Sequence, residues 1–110
     1  MRLNHMHVEV RNLPEAIAWL SKVWQVEPSF QNERIAVFPF GSFSLILDAS
    51  DQNSPATVGF ESEDCDLDYK RVIQNGGVAL EGPSDRLWGP RTAYIKGPAA
   101  LKFEIEQPLG

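Results

Sequence analysis

The sequence predicts an α+β fold built from two βαβββ modules, and three observations carry that prediction. The order of strand-like and helix-like segments runs through once by residue 48 and starts again at residue 57. Each strong strand alternates apolar and polar side chains with period 2, so it offers one face to a core and one polar face, as in an antiparallel sheet with helices on one side. A polar stretch at 49–56 (ASDQNSPA) carries Pro55 and reads as a linker. The 110 residues then form one domain, with modules at about 1–48 and 57–108. The repeat is one of element order and spacing, not of identity.

The elements follow in order. Residues 3–10 (LNHMHVEV) make the first strand, with Met6, Val8 and Val10 on one face and His5, His7 and Glu9 on the other. Asn12-Leu13-Pro14-Glu15 starts a helix: Asn12 caps the free N–H groups, Glu15 reaches back, and Pro14 suits the first turn. Ile17, Leu20 and Trp24, flanked by Ala16 and Val23, give that helix its apolar stripe, leaving Trp19 off it and suited to a subunit interface. Strands are expected at Pro28–Gln31, Ile35–Phe40 and Phe43–Asp48, with Gly41-Ser42 as the hairpin turn. In the second module Thr57–Ser62 is a strand and 66–75 a short helix stopped by Gly76-Gly77. Val78–Gly82 is the next strand, followed by a Pro/Gly-punctuated segment (GPSDRLWGP). Strands at Arg91–Lys96 and Leu101–Glu106 complete the set.

Composition narrows the function. Ten Lys+Arg against fifteen Asp+Glu give a net charge of −5, which disfavours nucleic acid, whose binding draws on clustered cations. The lone cysteine, Cys65, excludes an internal disulfide framework and fits a reducing compartment; its carboxylate neighbours Asp64 and Asp66 argue against an activated thiol. No apolar run reaches membrane-spanning length and no leader-type apolar segment stands near Met1, so a cytoplasmic protein is expected. No Ser-His-Asp spacing, phosphate-binding glycine loop or zinc Cys/His pattern is present. The chain's two histidines, His5 and His7, stand on the polar face of one strand, roughly 6–7 Å apart at Cα. That concentration favours polar strand faces that line a ligand cavity over faces that meet bulk water.

Three stretches resemble the glyoxalase / bleomycin-resistance / extradiol-dioxygenase superfamily, the vicinal oxygen chelate proteins. LNHMHVEVRNLPEAIAWL looks like that family's first strand and helix. Glu81-Gly82-Pro83 through Leu87-Trp88-Gly89-Pro90-Arg91-Thr92-Ala93-Tyr94 is similar to the Trp-Gly-x-Arg segment of its bleomycin-resistance-like branch. Gly97-Pro98-Ala99-Ala100-Leu101-Lys102-Phe103-Glu104-Ile105 resembles the family's closing Asp-Pro-x-Gly-Asn-x-x-Glu-Leu, with Pro98 and Glu104 in place and the Asp, Gly and Asn replaced. The resemblance implies a cup-shaped, partly open mixed β-barrel with helices outside. It implies metal positions on the first, fourth, fifth and eighth strands, which fall on His5, Ile46, Thr57 and Glu104.

Ile46 cannot coordinate and Thr57 is a poor ligand, so His5 and Glu104 are retained without a standard third donor. Either His7 or Asp48 could complete a rearranged set for Zn, Mn, Fe or Ni. The leading expectation is therefore a metal-free small-molecule binding protein of the bleomycin-resistance-like type, without a cofactor, taking a hydrophobic or cationic ligand in a homodimer cleft. The alternative is a divalent-metal-dependent lyase, isomerase or dioxygenase using His5 and Glu104. The candidate ligand-binding residues are His5, His7, Phe38, Asp48, Thr57, Trp88, Arg91, Tyr94 and Glu104. Arg91 is expected to pair with Glu104 or Glu106, and Trp88 either anchors a loop on the barrel rim or stacks on ligand.

Overall fold

Asn12 begins the first helix as its sequence requires. Its side chain accepts a hydrogen bond from the Glu15 backbone N–H at 3.1 Å and donates to Glu15 Oε2 at 3.2 Å, a reciprocal pair between cap and first turn. The structure, a computed structural model, describes residues 1–109. Its elements are β1 (Arg2–Val10), α1 (Leu13–Trp24), β2 (Phe30–Gln31), β3 (Ile35–Phe40), β4 (Phe43–Ala49), β5 (Thr57–Glu61), α2 (Cys65–Gln74), β6 (Val78–Asp85), β7 (Arg91–Lys96) and β8 (Lys102–Gln107). The βαβββ order thus occurs twice, in an α+β fold. The chain packs as two units, His5–Ala56 and Met1–Asn4 with the residues from Thr57 onward.

In the His5–Ala56 unit the strand order is β2-β3-β4-β1. β3 and β4 form an antiparallel hairpin through Gly41, whose φ of 65° only glycine adopts without strain. β1 and β4 run parallel, with Met6 opposite Leu45 and Val8 opposite Leu47. Leu13, Ala36, Phe38 and Leu47 form the buried core, packed by Val8, Ala16, Ile17 and Leu20 among others. Trp24, expected on the apolar stripe, is instead 60% exposed. It is the last helical residue, the chain turns away through Gln25 in the left-handed region, and Val26 takes up the packing beyond the turn.

The other unit repeats the order as β6-β7-β8-β5, with β5 and β8 parallel and the remaining pairs antiparallel. The sheets are therefore mixed rather than wholly antiparallel; alternation survives because a helix covers only one face. Cys65, Ala93, Ile95 and Ile105 are the core beneath α2, joined by Tyr69, Val72, Ile73 and Phe103. Asp64 caps α2 by accepting from the Leu67 N–H at 3.1 Å. The first residues of β1 belong to this unit, where Arg2 and Asn4 both donate to Glu61.

β6 runs three residues past the expected end, through Pro83 to Asp85. It is the edge strand, where a missing N–H costs no ladder bond, and register shifts near Glu81 absorb the irregularity. No helix among the described residues is long and apolar enough to cross a membrane.

Cys65 is fully buried, and its thiol is pushed up to about 11, first by burial and then by Asp66. The unfolded thiol ionises near its ordinary 9.0, so between those values the unfolded chain has lost a proton that the folded chain keeps. Stability contributed by this group is complete below that window and falls as pH rises through it. Urea unfolding midpoints measured from pH 8.5 to 11 should therefore fall more steeply in the native protein than in Cys65→Ala, and the native thiol should resist a thiol reagent at pH 8.

Candidate functional site

Strand parity turns His5 and His7 to the face of β1 opposite Met6 and Val8. Their rings meet edge to face, with centroids 4.9 Å apart and planes at 84°. His5 is 5% exposed and His7 is half-buried. His7 Nδ1 lies 3.4 Å from Asp48 Oδ2, a long contact from the neighbouring strand β4. A proton on Nδ1 directed at this carboxylate leaves Nε2 as the lone-pair nitrogen, the arrangement by which a carboxylate orients a ligating imidazole. Ile46 stands directly opposite His7 in the ladder and offers no donor, as the sequence indicates.

The other unit, taken by itself, holds a carboxylate of a different kind. Glu104 is a buried acid, 4% exposed, on the polar face of β8, and the Tyr94 hydroxyl opposite it donates to Oε2 at 2.9 Å. Burial, then the negative charge of Glu104 and the bond to it, push the Tyr94 phenol up to about 12. On β5 the residue paired with Glu104 is Gly59, which has no donor atom, while Thr57 pairs with Lys102.

Around Tyr94 stands a group of cations that sequence reasoning missed. Arg86 donates from Nε to Thr92 Oγ1 at 2.5 Å and from a terminal nitrogen to Glu81 at 2.7 Å. That bond to Glu81 raises the Arg86 pKa and lowers that of Glu81. The guanidinium carbon lies 5.4 Å from the Tyr94 ring centroid and 6.0 Å from that of Trp88, and Lys102 Nζ lies 4.5 Å from the Tyr94 centroid. Arg86 falls in the segment read as a Pro/Gly loop, where no alternation indicates which way a side chain faces.

Arg91 does not join this group. It grips Asp66 in the first turn of α2 with two bonds, at 2.6 and 2.9 Å, and Asp85 at 3.1 Å. The expected partners Glu104 and Glu106 lie on the other face, because Arg91 shares the parity of the core residues Ala93 and Ile95. Arg91→Ala should accordingly leave divalent-ion affinity within about 2-fold of the native value in a calorimetric titration, since exposed pairs of this kind act locally. Trp88 is 69% exposed rather than packed as an anchor, and Phe38 is wholly buried in its unit's core.

A cavity of about 590 Å³ opens on the opposite face of the first unit, walled by Met6, Val8, Trp19, Leu20, Leu45 and Leu47. Arg11 and Glu15 are the charged residues among the described lining, with Asn12 and Asn53 the other polar ones; Glu15 is the one side chain there of a metal-ligating type, so the cavity is chiefly apolar.

No family model and no curated protein matches the sequence. Solved structures do match over nearly the whole chain. A variant of Streptomyces coelicolor methylmalonyl-CoA epimerase in complex with 2-nitronate-propionyl-CoA has a TM-score of 0.78 at 15% identity, covering 100% of this chain and 99% of its own. A structure described as the NAD-dependent benzaldehyde dehydrogenase from Legionella pneumophila has a TM-score of 0.80 at 14% identity, covering 96% and 98%. A hypothetical protein from Bacillus halodurans C-125 has a TM-score of 0.74 at 13% identity, covering 96% and 93%. At such identities the likeness shows the fold alone: this chain shares the fold of methylmalonyl-CoA epimerase.

Proposed function

We propose that this chain is a divalent-metal-dependent enzyme of the vicinal oxygen chelate type, whose ion takes His5 and His7 of β1 as ligands together with Glu104, the carboxylate that the sequence resemblance assigns to that role. The single observation that carries the reading is the paired imidazoles of β1, 4.9 Å apart, with His7 facing a carboxylate that orients it. Two imidazoles and one carboxylate are a donor set suited to Zn, Ni, Fe or Mn with positions left for substrate. His7 supplies the third donor that Ile46 and Thr57 do not. An ion so held would act as a Lewis acid on a carbonyl or carboxylate oxygen of a small substrate. The chain's own part is to hold the donors: Asp48 steadies His7, and Tyr94 steadies Glu104.

The fold shared with methylmalonyl-CoA epimerase makes this reading natural, and a homodimer, as expected from the sequence, is part of the proposal. A second reading, a metal-free binding protein of the bleomycin-resistance-like branch, draws on the exposed indole of Trp88. The contacts of Arg86 and Lys102 with Tyr94 disfavour a cationic guest stacking on that ring, so this reading calls for an anionic or uncharged ligand. The test is elemental mass spectrometry after dialysis against Zn, Ni, Mn or Fe and desalting. One ion per chain supports the metal-dependent reading; none supports the second.

A further inference from the structure

We infer that Tyr94 is a positioning residue for Glu104, its hydroxyl selecting the orientation of that carboxylate while Arg86 and Lys102 clamp its ring. The inference rests on the reading of Glu104 as a metal ligand. Tyr94 and Glu104 are direct partners in the β7·β8 ladder, so both side chains rise from one face and meet at 2.9 Å. Glu104 is almost fully buried, which removes the water that would otherwise compete for the bond.

A glutamate's terminal torsion is broad and roughly two-fold, so a buried carboxylate needs an outside contact to present one oxygen reproducibly. The phenol supplies that contact on Oε2. The phenol can do so only if its own ring is fixed. Arg86 lies 5.4 Å from the ring centroid and Lys102 4.5 Å. Arg86 is tied in turn to Thr92 and Glu81, which keeps it from following solvent. Tyr94 need touch neither ion nor substrate; it acts through Glu104.

Tyr94→Phe keeps the ring and both cation contacts and removes only the hydroxyl. Zn²⁺ is titrated calorimetrically into the metal-stripped chain for the native protein, Tyr94→Phe, Glu104→Gln and the double variant, with thermal midpoints recorded alongside. Tyr94→Phe is expected to weaken Zn²⁺ binding about 10-fold, in line with outer-shell partners elsewhere. In the Glu104→Gln background the same change should cost less than about 2-fold, because the carboxylate it acts through is gone.

Native-like affinity in Tyr94→Phe overturns the inference. So does a loss that persists undiminished beside Glu104→Gln, which marks a merely structural role. Equal Zn²⁺ binding by the native protein and Glu104→Gln, or none by either, instead overturns the assignment of Glu104 as a ligand, and the positioning role falls with it.

Discussion

His5→Ala is expected to weaken Zn²⁺ binding at least about 100-fold, from near-stoichiometric retention to loss on desalting, as measured by calorimetry on the stripped protein. The size follows from the donor count: with three protein ligands, removing one leaves an incomplete set that holds the ion weakly. His7→Ala should fall in the same range, because it removes one of the three ligands and its cross-strand partner Ile46 carries no donor to stand in for it. Asp48→Asn should cost about 10-fold, the scale for an outer-shell partner that orients an imidazole without touching the ion. This ordering, with both histidines well above Asp48, separates ligation from a general electrostatic effect. If all three variants lost the same 2-fold or less, the histidine pair would be a hydrogen-bonding feature of a binding pocket instead.

The largest expected effect on stability lies elsewhere. Phe38→Ala should destabilise the His5–Ala56 unit by about 3–5 kcal/mol, since it empties a fully buried aromatic site. Leu13, Ala36 and Leu47 surround it as the rest of the buried core, and α1 and β4 limit how far they can move inward. Phe40, two residues on and 36% exposed, is the internal control: Phe40→Ala should cost about 1 kcal/mol or less. Urea titrations followed by far-ultraviolet circular dichroism give both numbers. Equal costs for the two would mean that the core is not centred on Phe38. The ring's burial also leaves it no face to offer a stacking ligand.

Much of this architecture is legible in the residues because period-2 alternation and capping chemistry are local. Met6, Val8 and Val10 against His5, His7 and Glu9 place the first strand's two faces without any structure, and Asn12 with Glu15 places the helix start. The same parity sets Arg91 on the side of Ala93 and Ile95, away from the Glu104 and Glu106 that the sequence reading gives it as partners, and the structure pairs it with Asp66.

Other features depend on non-local facts. β6 continues through Pro83 only because it is an edge strand, and strand order is not written in its own residues. Arg86 stands just past the end of β6, in a segment that the sequence reads as a loop, and a loop carries no facing. Trp24 fits the helical period, yet the helix ends on it, so a correct period still put an exposed indole in the core. His7 was legible as a neighbour of His5, but its nearness to Asp48 depends on the parallel pairing of β1 with β4.

The central claim is that both imidazoles of β1 ligate one ion, and paramagnetic proton NMR of the cobalt(II)-loaded protein tests it most directly. Imidazoles bound to cobalt give resonances shifted far outside the ordinary range, and this chain has no histidine beyond His5 and His7. The account predicts two shifted imidazole sets in the native protein, one of them missing in His5→Ala and the other in His7→Ala when each variant is held in excess cobalt(II) to offset its weaker binding. A loaded protein with no shifted imidazole set, or with the same spectrum in all three, would contradict it.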